Sequence, residues 1–264
     1  MAERQIQFND GASYEQMMGK WSRLAGDIVL DWLAPEPGLR WVDIGCGNGA
    51  STQMIYDRCS PSALKGIDPS AAQLEFARTR PSAKLAQFEL GNAMALPFST
   101  AEFDAAIMAL VIFFVPVPAR GVAEMVRVVR PGGLVAAYAW DFPGGGFPLE
   151  PVQAEMRAMG MTPLVAPHPE ISRIDALTAL WTQAGLRDVV TREIVVRRDF
   201  ADFEDYWRTC LLGAALGAEV AGMAPDDAVL LKERVRQRVP ARSDGRLTAS
   251  AKANAVRGTR PPLA

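Results

Sequence analysis

The sequence predicts an α/β protein built on a doubly wound, mostly parallel sheet of seven strands. An N-terminal helix precedes the first strand, and a helical cover is inserted before the last. Three observations lead there. Short apolar runs at 40–44, 64–68, 84–90, 103–109 and 134–140 alternate with helical patterns, the rhythm of parallel strands joined by right-handed crossovers. The first run leads into a glycine-rich turn, Asp43-Ile44-Gly45-Cys46-Gly47-Asn48-Gly49. The second ends in Gly66-Ile67-Asp68-Pro69, which puts an acid at a strand tip.

Taken in order, residues 14–33 carry Tyr14, Met17, Met18, Trp21, Leu24, Ile28 and Leu33 at helical spacing, and Pro35 and Pro37 end the segment. Strand one follows at 40–44 and a helix at 49–58. Strand two covers Leu64–Asp68, and Ser70 caps a helix to about Arg80. Lys84–Leu90 and Phe103–Ala109 are strands three and four. The helix Ala119–Val129 stops at Pro131-Gly132-Gly133, and Leu134–Trp140 is strand five. Residues 142–171 hold Gly144-Gly145-Gly146, several prolines and a short helical pattern at 150–159, which reads as a lid or binding loop. A helix at Ser172–Ala184 and a strand at Asp188–Arg197 come next. A helical excursion at 200–239 then precedes a final strand, Arg246–Val256, antiparallel to its neighbour. The expected organisation is one domain over 1–264. It comprises a helical cover (1–37), a cofactor-binding core (38–141), the lid insertion (142–171) and the remainder of the sheet (172–264).

Composition narrows the function. The chain has 264 residues, 49% of them apolar and 22% charged, with a net charge of −2, which suits an ordinary α/β domain and suggests no dedicated nucleic-acid surface. Cys46, Cys59 and Cys210 have neither metal-ligand nor disulfide spacing, so a reducing, cytoplasmic setting and no metal are expected. The N-terminus lacks signal-peptide character, and the apolar run Ala105–Val115 is too short to span a bilayer. Residues 232–260 are rich in Lys and Arg against Glu233 and Asp244, but without interleaved aromatics they read as a solvated face.

The glycine turn is the candidate site. Glycine tolerates positive φ and lets a backbone approach a ligand closely, and the helix after it offers unpaired N–H groups. Asp68 is placed to accept from two ribose hydroxyls. Gly45, Gly47 and Ala50 also satisfy the G-x-G-x-x-A spacing of dinucleotide binders. Asp43 argues against that reading, because a carboxylate at this point would repel a pyrophosphate. It would instead attract a cation, such as the ammonium of a methionine moiety or a sulfonium.

The run from Asp43 to Gly49 resembles the first motif of class I S-adenosylmethionine (SAM)-dependent methyltransferases. Three further segments are similar to that family in order: Gly91–Phe98 to its adenine-binding segment, Phe103–Met108 to strand four, and Arg127–Gly133 to the turn into strand five. Together they cover roughly residues 10–140. The resemblance implies a Rossmann-like methyltransferase fold with SAM as cofactor. It implies cofactor contacts from Tyr14, Asp43, Gly45, Cys46, Gly47, Asp68, Pro69, Asn92, Ala93, Met94, Ala109 and Leu110. Asn92 stands where many relatives carry aspartate, and its carbonyl is expected to take the adenine amino group. Phe113 and Phe114 stand where relatives often carry histidines, which suggests an apolar substrate wall. Trp140, Asp141, Phe147 and Tyr206 are further candidate substrate contacts.

Structural alternatives accompany several of these. Asp43 could cap the next helix, Asp68 could be a turn acid, and Tyr14 and Trp21 could staple the first helix to the core. Cys46 and one of the two phenylalanines suit packing, Asp141 suits a cap, Phe147 and Tyr206 suit packing of the lid, and His168, between Pro167 and Pro169, suits an exposed loop. The resemblance is strongest to the ubiquinone/menaquinone-biosynthesis type. It implies methyl transfer to a small, apolar or aromatic acceptor, with alignment rather than a named catalytic residue doing the chemistry. A SAM-binding sensor or assembly protein without transferase activity is the alternative. Neither the Asn/Asp-Pro-Pro-Tyr/Phe signature after strand four nor a Pro-Cys nucleophile is present, so nucleic-acid acceptors rank low. The choice among oxygen, carbon and nitrogen acceptors and the oligomeric state are left open by the sequence.

Overall fold

The computed structural model describes residues 15–262. A five-residue π-helical segment, Glu15–Gly19, leads into helix α1 (Lys20–Leu33). Then come β1 (Arg40–Ile44), α2 (Ala50–Cys59), β2 (Ala63–Asp68), α3 (Ala71–Ala77), β3 (Ala86–Leu90) and β4 (Phe103–Ala109). The second half holds α4 (Pro118–Val128), β5 (Val129–Trp140), α5 (Glu150–Ala158), α6 (Ile174–Gln183) and β6 (Arg187–Phe200). Helices α7 (Phe203–Leu211), α8 (Ala214–Ala221) and α9 (Pro225–Arg238) precede β7 (Leu247–Thr259).

The seven strands form one sheet in the order β3-β2-β1-β4-β5-β7-β6. The first five are parallel, and β7 runs antiparallel to both β5 and β6. Strand order reverses beside β1, so the carboxyl ends of β1, β2 and β4 border the crevice where doubly wound sheets take their ligands. Alternation along the strands fills two layers. Trp41, Tyr138 and Trp140 pack with α1, α2 and α3, whereas Val42, Ile44 and Val135 pack with α4 and α6. Helix α1 lays Trp21, Ala25, Val29 and Leu30 on the first layer and ends at Ala34, whose φ of 42° breaks the helix. Among the described residues, no helix is long and apolar enough to cross a membrane.

Two boundaries differ from expectation for physical reasons. The helix expected to reach Val129 stops at Val128, and Pro131-Gly132-Gly133 lies inside β5 as a bulge rather than serving as a helix stop. Val129 already pairs with Phe103, and the Arg260 guanidinium binds the Arg127 and Val129 carbonyls, so the chain is committed to the sheet at once. The hairpin of β6 and β7 is also longer than expected. Trp140, the last residue of β5, pairs with Ala253, while β7 begins at Leu247 opposite Phe200. Six residues of β7 therefore stand beyond the sheet edge, an arm of about 20 Å at the strand rise.

The far edge of the sheet is stapled by Asp104. Its carboxylate accepts from the Arg40 backbone N–H at 2.8 Å and side-chain Nε at 3.0 Å, and from Arg130, joining β1, β4 and β5. These donors hold its pKa well below the usual carboxylate range, against the cost of burial. A depressed folded-state pKa contributes stability above the unfolded value that is lost as pH falls. Asp104→Asn is therefore expected to cost about 1–2 kcal/mol at pH 7, after allowance for the partial exposure of both arginines. The difference from wild type should shrink below about pH 4, as measured by urea denaturation at several pH values.

Candidate cofactor and acceptor site

The glycine turn is tied to the tip of β2 by its own backbone. The N–H groups of Gly45 and Cys46 both donate to the Ile67 carbonyl, at 2.7 and 3.1 Å. Gly47 N–H donates to Asp68 Oδ2 at 2.9 Å, and Ser70 N–H to Oδ1 at 2.8 Å. Asp68 is thus fixed at its strand end; burial raises its pKa, and the two N–H bonds oppose the rise. The first two glycines serve different ends. At Gly45 (φ +72°) a Cβ would fall 2.4 Å from Val111, so protein packing demands glycine there. At Gly47 (φ +51°) a Cβ would meet nothing within 4 Å, so this turn of backbone borders open space.

Asp43 lies beneath that turn, fully buried at the end of β1. Its Oδ2 accepts from the Thr52 hydroxyl in α2 at 2.7 Å, and its Oδ1 has no partner. Burial pushes its pKa up to about 7, against hydrogen bonds from the Thr52 and Ser51 hydroxyls and the Thr52 N–H, with the Asp68 charge adding to the rise. A buried carboxylate oxygen without a donor is costly, and a cationic ligand group supplies what it lacks. Cys46 is packed in the turn, and burial raises its thiol pKa well above the ordinary value, which suits structure rather than nucleophilic chemistry.

A latch crosses the turn from the N-terminal side. Glu15 accepts from Arg80 at 2.8 Å and from Asn48 Nδ2 at 3.3 Å, while Arg80 Nε donates to the Asn48 carbonyl at 2.6 Å. The segment before α1 is thereby bound to the glycine turn and to the end of α3. Tyr14 lies outside the described residues. Thr52, Val111, Glu15 and Arg80 did not stand out in the sequence. Only Glu15 carried a visible signal, as an acid beside the candidate Tyr14.

The remaining cofactor candidates sit along the same edge. Asn92 Oδ1 accepts from Met94 N–H at 2.8 Å, and the Asn92 carbonyl accepts from Ala95 N–H at 3.0 Å. One lone pair of the side-chain oxygen is therefore spent on the turn. Ala93 and Met94 are half-buried, and Pro69 is exposed beyond β2. Ala109 ends β4, and Leu110 follows with φ +59°, its N–H donating to the Tyr138 carbonyl at 2.8 Å.

On the acceptor side the structure joins some candidates and separates others. Phe113 contacts Phe114 at 4.7 Å and Phe142 at 4.9 Å between ring centroids, and Phe142 contacts Phe147 at 4.9 Å. Phe142, which sequence reading did not single out, packs against both layers, as does Leu110. Trp140 is buried at the end of β5. Tyr206 sits apart, its ring on Phe200 and Phe203 and its buried hydroxyl beside the Cys210 thiol. Asp141 is committed to its own turn, accepting from Gly144 N–H at 3.0 Å and pairing with Lys252 at 2.8 Å. Lys252 and Gly146 also exchange a backbone bond, so the triple glycine is pinned to β7. His168 N–H donates to the Phe113 carbonyl at 3.1 Å, which folds the end of the insertion back against the aromatic wall. In the basic C-terminal stretch, Arg234 and Arg238 bind Glu155, and Lys232 and Arg236 bind Glu204.

A reversed strand order, a glycine turn opening on space and an acid at the tip of β2 define an α/β protein of the nucleotide-cofactor class. Comparison with known proteins then narrows the class. A methyltransferase-domain family model matches residues 42–137. The chain is 30% identical to an O-methyltransferase of Penicillium expansum over 215 residues, covering 76% of this chain and 70% of that one. It is 33% identical to a ubiquinone/menaquinone biosynthesis C-methyltransferase of Ruegeria sp., over 42% of this chain and 46% of that protein. The matched stretch spans less than half the length of several other curated relatives as well. A solved phosphoethanolamine N-methyltransferase 2 of Haemonchus contortus, in complex with S-adenosyl-L-methionine, shares the fold. Its TM-score is 0.57 at 15% identity, over 95% of this chain and 56% of that one. The chain belongs to the class I SAM-dependent methyltransferase family.

The Asp43 environment makes a prediction independent of any ligand. A folded-state pKa above the unfolded value contributes stability at low pH that is lost as pH rises toward the folded pKa. Wild-type stability should carry a falling component between about pH 4 and 7. Asp43→Asn should remove most of it, a difference of a few kcal/mol at most. Thermal denaturation of both proteins across this range is the check, and parallel pH profiles would contradict the assignment.

Proposed function

We propose that this chain binds SAM in the crevice at the carboxyl ends of β1, β2 and β4 and transfers its methyl group to a small, largely apolar acceptor. The observation that carries the reading is the buried, half-unpaired carboxylate of Asp43 under a glycine turn that opens on space at Gly47. In this reading Asp43 receives the ammonium of the methionine moiety and Asp68 the ribose hydroxyls. Asn92, Ala93 and Met94 line the adenine side, and the Gly45–Gly47 backbone closes over the ligand. The family relationship supports SAM over a dinucleotide, as does the poor fit of a pyrophosphate beside Asp43.

Bound there, the cofactor would supply an already activated methyl group for in-line displacement. What the chain contributes is position and dryness. Phe113, Phe142 and Phe147 offer an apolar wall that orients an acceptor and excludes water. Of the similar proteins, one is an O-methyltransferase and another a C-methyltransferase by name, and the proposal here extends to a small molecule whose methylated atom is oxygen or carbon. The buried, free thiols of Cys46, Cys59 and Cys210 suit the cytoplasmic setting proposed with it.

Calorimetry should show SAM and S-adenosylhomocysteine binding in the ~1 μM to 1 mM range of ordinary enzyme ligands, with no binding of NAD. Asp68→Ala should weaken both by about 1.5–3 kcal/mol, the worth of hydrogen bonds to a charged group. NAD binding in place of SAM would overturn the reading.

A further inference from the structure

The hairpin arm beyond the sheet edge carries a cation that the reading above leaves unused. Along the end of β6, Ile194, Val196, Arg198 and Phe200 are buried while Val195, Arg197 and Asp199 are exposed. The inward face is therefore apolar except for one guanidinium. Arg198 is only 8% exposed and pairs with no acid among the described residues. One of its nitrogens donates to the Met17 carbonyl at 2.8 Å, and its guanidinium lies 4.6 Å from the centre of the Phe200 ring. Its cross-strand neighbour is Ala249, which offers no charge. The carboxylate nearest in its field, Asp205, is turned to the Ala201 N–H and to Arg208. Burial accordingly pushes the Arg198 pKa below its ordinary value.

A desolvated arginine that no anion neutralises is expensive, and arginine does not escape the cost by losing its proton. One bond to a neutral carbonyl and one aromatic face recover part of it. The Tyr206 ring packs 5.2 Å from Phe200 with its hydroxyl beside the Cys210 thiol, so it brings no charge to offset the guanidinium.

Their position relates them to the crevice. Arg198 pairs with Ala249, four residues beyond the partner of Trp140, which is about 13 Å past the carboxyl edge of β5. Its hydrogen-bond partner Met17 lies two residues from Glu15, which is bound to Asn48 of the glycine turn. The cation and the proposed cofactor site thus flank the same short segment.

We infer that the methyl acceptor carries a carboxylate and that Arg198 is the group that receives it. This rests on the methyltransferase reading and adds the substrate class: an apolar body with one anionic end. A single guanidinium matches a monoanion in charge and in its two-oxygen fork. No lysine or second arginine joins it among the described contacts, so a phosphate dianion is matched less well. The apolar body lies along the arm, between Arg198 and the aromatic wall, and the charged end fixes which way round it sits.

The experiment uses the full chain saturated with S-adenosylhomocysteine and titrated calorimetrically with benzoate and octanoate, and in parallel with benzamide and octanamide. At least one carboxylate should bind the wild type where its amide does not. Arg198→Met should weaken that binding by about 10- to 100-fold, the worth of charge-assisted hydrogen bonds. Arg198→Lys should recover part of the loss, and S-adenosylhomocysteine affinity should be unchanged in both. Carboxylates that bind no better than amides, including binding by neither, would overturn the proposal, as would equal carboxylate binding by Arg198→Met. A loss of cofactor affinity and of hydrogen-exchange protection at 15–19, without a selective loss of carboxylate, would assign Arg198 to holding Met17 and also overturn it. Failure of S-adenosylhomocysteine to bind the wild type would instead strike the cofactor reading. The carboxylate–amide comparison, repeated without it, would then decide this proposal alone.

Discussion

Everything at the crevice depends on the way the tip of β2 is fastened to the glycine turn. Two successive N–H groups share the Ile67 carbonyl, and a third, from Gly47, reaches Asp68. These bonds use the donors that point into the protein, so the carboxylate is held in place before any ligand arrives. The same fastening closes Asp43 underneath, where one oxygen is bound by Thr52 and the other by nothing. An apolar partner could not leave that oxygen uncompensated without cost. A buried carboxylate oxygen with no donor, under a turn that opens on space at Gly47, marks a site that a ligand can complete.

The covering elements share one apolar core with the sheet, through Met17, Met156, Trp207 and Val235, and ion pairs fasten their seams. Glu15 ties the N-terminal segment to Arg80 and Asn48. Glu155, nearly buried in α5, receives Arg234 and Arg238 from α9, and these arginines hold its pKa below the ordinary value. Lys252 joins Asp141 to Glu193. Each pair fastens a different covering element to its neighbour. Partly exposed pairs are individually weak, so the shared apolar core carries most of the attachment of the cover.

Much of this was legible in the sequence because it rests on local rules. Strand four was read to its terminal residues, and the parallel sense of the first five strands follows from their alternation with helices. The glycine turn and both acids were legible for the same reason, since spacing places them at strand ends. Long-range partners were not. Nothing in the order of residues announces that Val111 fills the space a Gly45 Cβ would need, or that Arg80 meets Glu15. Asp141 was readable as either a cap or a substrate contact, and only the distance to Gly144 and Lys252 showed its carboxylate engaged. Arg198 lay one residue beyond the expected end of its strand. The period-two pattern of Ile194, Val196 and Phe200 does carry the information that Arg198 shares their buried face. The extension was missed because strand ends depend on the partner strand, here the early residues of β7.

The proposal that Asp43 meets a cationic group of the ligand is tested most directly by proton-linked calorimetry. S-adenosylhomocysteine binding should be measured at pH 6 in buffers of different ionisation enthalpy. With the Asp43 pKa near 7 in the free protein, arrival of the ligand's ammonium should expel most of one proton there, and almost none at pH 8.5. The release should vanish in Asp43→Asn. Binding at pH 6 with no proton release, or with the same release from Asp43→Asn, would show that this carboxylate does not meet the ligand's charge.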